Sequence, residues 1–390
     1  MDARFNRFLL NCYIIIFKIC GLASWKVNIV KIFDPNSNIN NSVYSNATYN
    51  YKYFINIILI FMTITYIIVI RTLKLWTVNT GLIVSSIVDK CLVFFGSINV
   101  IIIWLMNISR ERTIANIVNE ISIIDNVLKK IKHYEVMNNY SMNSMLLFKF
   151  IIIILNLCCS FFINTSITTP LWVASTTVNS MVLMQYALVL NATYHRFKSM
   201  NTMITKLGNL NTEIGVNTLF TVKHHLDESI TSDIVNANHV NMKLCAVCSE
   251  LADFYAIPTL LATIIYVASA IFFLHFPLTQ LTFTNQMNFS VASYLHSFGT
   301  LKILITFALL TTYATKIKRE FEKMGYYLHL LLDQNAVDRK TEEALVEFSR
   351  ELLHRNVKFT TYGIMSIDNS LLQVILGSIV TYLSILIKTN

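Results

Sequence analysis

An all-α membrane protein with seven transmembrane helices is the fold class that the sequence predicts. Of the 390 residues, 54% are hydrophobic and only 14% are charged, whereas a soluble domain carries about 25% charged residues. The apolar residues come in long uncharged runs such as Tyr53–Ile70, without the alternation that barrel strands need. Runs of this length match the roughly 20 residues with which an α-helix crosses a bilayer. A large soluble fold is therefore excluded.

Windows of about 20 predominantly apolar residues locate the spans along the chain. The segment Leu9–Leu22 is apolar too, but Asn11 and Lys18 interrupt it, and roughly 14 residues are short for a crossing. It is predicted to be an amphipathic or re-entrant helix, and Lys18 disfavours the alternative of a cleaved signal peptide. The seven predicted spans are Tyr53–Trp76, Gly81–Ile108, Met145–Thr165, Trp172–Tyr194, Leu251–Phe276, Val291–Thr315 and Tyr362–Lys388.

The distribution of basic residues predicts the orientation of the chain. Of its 31 Lys and Arg residues, 25 lie in the segments 1–52, 109–144, 195–250 and 316–361, and the other three connections between spans carry no charge. Positively charged loops stay cytoplasmic. We therefore expect a multi-pass protein of the plasma membrane with a cytoplasmic amino terminus and an extracellular carboxyl terminus.

The charged segments also contain amphipathic helices. Apolar residues recur every three or four positions from Ile114 to Leu128, and again at Leu345, Phe348 and Leu352. Such faces need a partner, either the membrane surface or each other, and their mixed charges favour assembly into a cytoplasmic helical anchor. The predicted division is a cytoplasmic amino-terminal segment (1–52), spans one to six with their helical extensions (53–318), anchor helices (319–361) and the seventh span (362–390).

Several function classes are excluded by what the sequence lacks. It contains no zinc-protease motif, phosphate-binding Gly loop or nucleophile elbow, so neither an enzyme nor a cofactor is expected. Cys245 and Cys248 have the spacing of a metal or redox pair, but no second pair follows at a finger-like distance, and no metal is predicted. The net charge of +9 is explained by cytoplasmic loops that face anionic lipid, so the bilayer is the expected partner and nucleic acid is not.

The carboxyl-terminal segment Phe359–Lys388 carries a recognisable pattern. Its elements are Gly363, Ile367-Asp368, Leu371-Leu372 and Thr381-Tyr382, preceded by the run Leu352-Leu353-His354-Arg355. This pattern resembles the seventh helix of the insect gustatory receptor family. A weaker resemblance in length, span number and amino-terminal orientation extends over the whole chain.

The resemblance implies a ligand-gated, non-selective cation channel subunit for small tastants, with plant-derived bitter compounds as the favoured class. The family is similar to the odorant co-receptor channels, which are tetramers with one central ion path lined by the seventh helices. It implies a homo- or hetero-tetramer with other gustatory receptors, in taste neuron dendrites, and a path lined by Gln373, Thr381, Tyr382, Ile385 and Lys388. Lys388 departs from the family, which has Gln there, and four ammonium groups at the outer mouth would repel cations.

A ligand pocket is predicted in the outward-facing half of the bundle. Asp89 and Lys302 lie roughly 14 Å below the outer helix ends, where they would pair or line a wet pocket, or merely fix the packing. Polar and aromatic residues of the outer third complete the prediction, although Trp172 also suits an interfacial aromatic belt. These residues are Trp172, Thr176, Asn179, His275 and His296.

Two other receptor or transport classes compete with this interpretation. A seven-helix receptor coupled to a G protein would need an extracellular amino terminus, which places the 25 basic residues on the wrong side. The chain also lacks the Asp-Arg-Tyr and Asn-Pro-x-x-Tyr motifs of such receptors. A secondary transporter usually shows an internal repeat and more Gly, and neither is found here.

Overall fold

The computed structural model describes residues 3–22, 54–72, 83–131, 151, 168–207, 224–225, 229–283, 291–336 and 338–389. Within these residues the chain is almost entirely helical. The helices are α1 (Ala3–Ile19), α2 (Phe54–Thr72), α3 (Ile83–Ser109), α4 (Glu111–Leu128), α5 (Thr168–Leu207), α6 (Ser229–Phe283), α7 (Val291–Gln334), α8 (Arg339–His354) and α9 (Asn369–Thr389). Two short strands, β1 (His224–His225) and β2 (Asn335–Ala336), pair in parallel.

Three described segments are long and apolar enough to cross a membrane: Cys91–Ser109, Val173–Leu207 and Ile230–Ile271. Asn56–Thr65 and Asn369–Ile385 are shorter apolar segments. The predicted third span, Met145–Thr165, lies outside the described residues apart from position 151.

Helices α5, α6 and α7 form the centre of the bundle, and their side-chain contacts fix their relative directions. Ser180 meets Thr306 near one end of α5 and Asn201 meets Glu320 near the other, so α5 and α7 run parallel. Tyr186 of α5 stacks on Tyr255 of α6 with ring centroids 4.4 Å apart. Because Tyr266, later in α6, bonds to an earlier residue of α5, α6 runs antiparallel to α5. These directions alternate as successive membrane crossings require.

Helix α6 is 55 residues long, which corresponds to about 82 Å at 1.5 Å per residue. A bilayer core is about 30 Å thick, so a large part of α6 projects beyond it. Pro258 is buried in the interior of this helix. Proline has no backbone N–H, so it donates no hydrogen bond to the carbonyl of Phe254.

The amino-terminal helix is packed into the bundle at its carboxyl-terminal end. Trp104 Nε1 donates to the Cys20 carbonyl at 2.8 Å, and Gln185 Nε2 donates to the Leu22 carbonyl at 3.3 Å. Gly21 turns the chain with a φ of +70°, a conformation that glycine adopts without strain. A Cβ at Gly21 would collide with Asn56 Oδ1. The apolar segment before the first predicted span is therefore fixed between α2, α3 and α5.

A buried ion pair ties α4 to α5. Arg196 Nε donates to Asp125 Oδ1 at 2.8 Å and Arg196 Nη2 donates to Asp125 Oδ2 at 2.6 Å. Each side chain is only 6% exposed. Arg196 Nη1 also donates to the Ala192 carbonyl at 2.9 Å. The two charges are thus paired in a bidentate geometry, which is the strong form of this interaction.

The apolar stripe of α8 is covered within the chain itself. Leu345, Phe348 and Leu352 are buried, and α8 packs against α6 and α7. The apolar residues of α4 are likewise buried against α6. Both amphipathic helices therefore find their partner in the same helical layer.

The sequence predicts one helix over Tyr362–Lys388, and this start is wrong. Helix α9 begins at Asn369, and the preceding residues form an antiparallel hairpin of β3 (Thr360–Thr361) and β4 (Met365–Ser366). Tyr362 and Gly363 turn the hairpin with φ values of 51° and 74°, which a right-handed helix cannot contain. The apolar residues of this turn resemble a helix only in composition.

Candidate functional site

A polar cluster lies between α3 and α5, inside the apolar bundle. Asn99 Nδ2 donates to Asn179 Oδ1 at 2.6 Å, and Asn179 Nδ2 donates to the Ser175 carbonyl at 2.9 Å. The two Asn side chains are 2% and 1% exposed. Gly96 lies beside this pair, and a Cβ there would come within 2.9 Å of Ser175 Oγ. Buried amides of this kind fix one packing of the helices because an unpaired amide in an apolar interior is costly.

Thr176 connects this cluster to α6 and α7. Its backbone carbonyl accepts a hydrogen bond from the Tyr266 hydroxyl at 3.2 Å, and its own hydroxyl donates to the Val173 carbonyl at 3.1 Å. The Tyr266 ring meets Phe307 edge-on, with centroids 6.0 Å apart. One connected set of contacts therefore reaches from the Asn179 side of α5 to α7.

The structure describes only part of the predicted ligand pocket. Thr176 and Asn179 are both buried in the polar cluster. The backbones of the other predicted residues lie in helices, on α3, α5, α6 and α7, but their side chains are outside the described part of the structure. These residues are Asp89, Trp172, His275, His296 and Lys302. Asn99 was not predicted, because nothing in its local sequence distinguishes it from other Asn residues.

Helix α9 packs on α6 and α7 through one apolar face. Its buried residues are spaced by four: Leu371, Ile375, Ile379 and Leu383. Between this face and the bundle lies a cavity of about 20 Å³, lined by Thr263, Tyr266, Val267, Ala270, Leu304, Phe307, Ile375 and Ile379. This volume holds about one water molecule. Tyr266 and Phe307 thus lie between the polar cluster and α9.

The opposite face of α9 is polar and exposed. Its residues recur every three or four positions, which at 100° per residue confines them to an arc of about 80° centred roughly opposite the packed face. The Thr381 and Ser384 hydroxyls donate to backbone carbonyls of their own helix at 2.9 and 2.8 Å. The polar face consists of Ser370, Gln373, Gly377, Thr381, Ser384 and Lys388. It runs along about 27 Å of helix.

This polar face contains three of the residues predicted to line an ion path and three that the sequence analysis missed. Gln373, Thr381 and Lys388 lie on it, and Tyr382 and Ile385 do not. The latter two are 56% and 52% exposed, but they lie about 140° and 80° around the helix from the centre of the polar face. The missed residues are Ser370, Gly377 and Ser384. Their signal in the sequence is the three-and-four spacing of small and polar residues within an otherwise apolar helix.

The start of α9 is fixed by an acidic cap. Asp368 Oδ1 accepts a hydrogen bond from the Ser370 backbone N–H at 2.9 Å, and Oδ2 accepts one from Ser366 Oγ at 2.7 Å. The side-chain hydrogen bonds from Ser370 and Ser366 hold the pKa of Asp368 below its usual value. The Asn369 N–H donates to Thr315 Oγ1 at 3.2 Å, so the cap also joins α9 to α7.

The hairpin before α9 is linked to the junction of α3 and α4. Arg110 Nη1 donates to the Asp253 carbonyl on α6 at 3.0 Å, and Arg110 Nη2 donates to the Tyr362 hydroxyl at 3.4 Å. One guanidinium therefore contacts both α6 and the hairpin that leads into α9.

Comparison with known proteins identifies the family to which this architecture belongs. The profile of the 7tm chemosensory receptor family matches residues 10–388. The chain belongs to this family. The resemblance of its carboxyl-terminal pattern to insect gustatory receptors is thereby confirmed, and a chemosensory receptor rather than an enzyme is the class to which it is assigned.

Individual relatives of this chemosensory receptor agree with the assignment. A segment of 105 residues is 29% identical to the putative gustatory receptor 28b of Drosophila melanogaster, covering 26% of this chain and 22% of that protein. The fold is similar to that of the olfactory receptor OR5 from Machilis hrabei, with a TM-score of 0.61 and 12% identity over 100% of both chains. The same receptor in complex with eugenol matches with a TM-score of 0.58 and 11% identity over 99% of this chain and 100% of that one. At these identities the solved structures show a shared fold.

Proposed function

We propose that the chain is a gustatory receptor: a subunit of a ligand-gated, non-selective cation channel that detects small tastants, with plant-derived bitter compounds as the favoured class. Membership of the chemosensory receptor family supports the receptor role. A structurally similar receptor has been solved in complex with eugenol, a small molecule, which supports a ligand of similar size here. The observation that carries the channel assignment is the polar face of α9.

The polar face of α9 has the properties that a wall of an ion path requires. It is exposed in the single chain, it is continuous over about 27 Å, and it stands opposite the face that packs on α6 and α7. A helix in a bilayer does not expose such a polar stripe to lipid without cost. When four subunits surround one axis, these faces meet around water, and the apolar faces keep their contacts within each subunit. The tetramer consists of copies of this chain or of this chain with other gustatory receptors.

The contacts between the polar cluster and α9 provide a route for gating. A ligand that binds the outward-facing half of the bundle changes the packing around Thr176 and Asn179. That change reaches α9 through Tyr266, Phe307 and the small cavity beside Ile375. A ligand opens the path only by binding the open packing more tightly than the closed packing, so gating is a shift of populations. The cavity beside α9 leaves room for the small side-chain movements that such a shift needs.

The orientation in the plasma membrane follows the charges. Basic segments, including the anchor helices, face the cytoplasm, and Lys388 then lies at the outer mouth. An epitope added at Asp2 is expected to be hidden on intact cells, and one added after Asn390 is expected to be stained. Staining of the amino terminus on intact cells would reverse the proposed topology.

Cysteine accessibility tests the ion path directly. Ser384→Cys places a thiol on the polar face, and Leu376→Cys places one at a position that is also exposed, at 49%, but outside the polar face. A positively charged thiol reagent applied from outside should block the ligand-evoked current of Ser384→Cys and spare that of Leu376→Cys. The unmodified chain sets the baseline because Cys91 is exposed. Equal block of the two variants by the thiol reagent would show that the polar face does not line the conduction path.

A further inference from the structure

A cluster of basic side chains lies where α5 and α7 leave the apolar part of the bundle. On α7, Lys316, Arg319 and Lys323 follow at intervals of three and four residues, so they share one face of the helix. On α5, Lys198 lies one turn after Tyr194 on the side that meets α7. The basic cluster, as we name it, consists of Lys198, Lys316, Arg319 and Lys323.

Aromatic rings hold one cation of the basic cluster in place. The Lys316 ammonium lies 5.7 Å from the centroid of the Tyr194 ring and 5.3 Å from that of the Tyr313 ring. The two rings are 6.4 Å apart and tilted by 48°. Cation–π contacts of this kind attract an ammonium group and restrict its position. Tyr194 of α5 contacts Tyr313 of α7, and Lys198 follows Tyr194 by one turn, so the cations of the two helices lie in the same small region.

The carboxylate of Glu320 pairs with only one of the four cations of the basic cluster, Lys323. Glu320 is the acidic residue on its face, and its oxygens accept hydrogen bonds from Asn201 Nδ2 at 2.9 Å and from Lys323 Nζ at 2.8 Å. The bond to Glu320 raises the pKa of Lys323, which keeps that ammonium charged. Glu322 lies about 120° around α7 from Lys316, and Asp125 is already paired with Arg196. An excess of positive charge therefore remains.

The depth of the basic cluster matches a lipid headgroup. Tyr194 and Thr315 end the fourth and sixth predicted spans, and the cluster begins directly after them. The first residue of α9 bonds to Thr315, so three helices reach the membrane boundary at this level. Tyr194 and Tyr313 are residues of the type that occupies membrane–water interfaces. A phosphate group at this level would meet cations from two helices.

We propose that the basic cluster binds the phosphorylated headgroup of a phosphoinositide in the leaflet that faces the anchor helices. Phosphate monoesters carry the multiple charge that several cations recognise, and each Lys or Arg near an anionic surface strengthens attraction to its lipids. The site bridges α5 and α7, whose contacts continue to the polar cluster. It requires that the helices span a membrane and does not depend on ion conduction.

Lipid retention tests the site. The purified full-length chain is placed in phosphatidylcholine nanodiscs containing a phosphoinositide bisphosphate at a few mole per cent, and its affinity for that lipid is measured. Lys316→Gln should weaken binding roughly fivefold, the factor for one cation near the surface. Lys340→Gln, a control at an exposed position of α8, should bind like the unmodified chain. Both variants should unfold at the same temperature as the unmodified chain.

Two further arms distinguish the sources of phosphate. Phosphatidylserine in place of the phosphoinositide should bind more weakly and respond less to Lys316→Gln. The free inositol phosphate headgroup should compete only at much higher concentration, because it lacks the acyl chains. Equal binding of the free headgroup and the lipid would overturn the lipid assignment in favour of a soluble phosphate site. Equal phosphoinositide binding by Lys316→Gln and the unmodified chain would overturn the site itself.

Discussion

The buried Asp125–Arg196 pair makes a sharp prediction about stability. Asp125→Ala removes the carboxylate and leaves a guanidinium that is 6% exposed without its acidic partner. Breaking a buried ion pair from one side costs about 3–5 kcal/mol. Since Arg196 Nη1 keeps its bond to the Ala192 carbonyl, we expect the lower end of that range.

An exposed ion pair on α8 provides the matched control. Arg339 Nε and Glu343 Oε1 are 3.2 Å apart, with side chains that are 91% and 67% exposed. Solvent-exposed pairs one helical turn apart contribute only about 0.3–0.5 kcal/mol. Glu343→Ala removes one carboxylate, as Asp125→Ala does, but it should hardly change the free energy of unfolding.

The assay is thermal unfolding of the detergent-solubilised chain, followed by the loss of its size-exclusion peak. At roughly 1–2 °C per kcal/mol for a chain of this size, a loss of about 3 kcal/mol should lower the apparent melting temperature of Asp125→Ala by about 3–6 °C. The double variant Asp125→Ala, Arg196→Met should recover part of the loss, because no buried charge remains unpaired. Equal melting temperatures for Asp125→Ala and Glu343→Ala would contradict the proposed energetic role of the buried pair. So would a double variant whose melting temperature is no higher than that of Asp125→Ala.

Three further substitutions follow from particular positions. Phe348→Asp buries a charge and should cost several kcal/mol, so its folded yield should collapse, whereas that of Val346→Asp, at a position 46% exposed on the same helix, should persist. Gly21→Ala should lower the melting temperature, because Gly21 has a positive φ. Gly325→Ala, whose added Cβ meets no atom within 4 Å, should raise the melting temperature slightly. The reverse order of the two melting temperatures would contradict the described turn at Gly21. Asp368→Ala should remove about 1 kcal/mol of capping stability at neutral pH. Because the folded-state pKa of this group is depressed, its contribution is present above the unfolded pKa of about 3.9 and is lost as pH falls through the lower folded value. A difference from the unmodified chain that is the same at acid and neutral pH would argue against an ionised cap.

Composition and periodicity predict the helices of this protein well because a bilayer demands long apolar segments. They fail at the hairpin before α9. Ile364 and Met365 are as apolar as residues of a span, so a hydropathy window continues through them, and the local signs of a break, Gly363 and Asp368, are single residues. The turn was decided by backbone geometry and by the Asp368 cap, neither of which a window average contains.

The candidate site was predictable only in part. Thr381 and Lys388 were found from a family pattern and Gln373 from its polar side chain within the predicted seventh span, but Ser384 became recognisable only when the packed face of α9 was known. Asn99 and Asn179 are 80 residues apart in the chain, and no local pattern pairs them. Partners that meet only through the packing of α3 on α5 cannot be inferred from one sequence.

The long helix α6 bends more easily at Pro258 than at its other positions. The missing backbone hydrogen bond allows the two arms of α6 to change their mutual angle at lower cost than elsewhere in the helix. The arm from Ser229 to Pro258 is about 43 Å long, so a rotation of about 5° at the proline would displace its far end by roughly 4 Å. The Arg110 guanidinium donates a hydrogen bond to this arm at the Asp253 carbonyl, close to Pro258. A small change of angle at Pro258 would thus produce a larger displacement at the Ser229 end of α6.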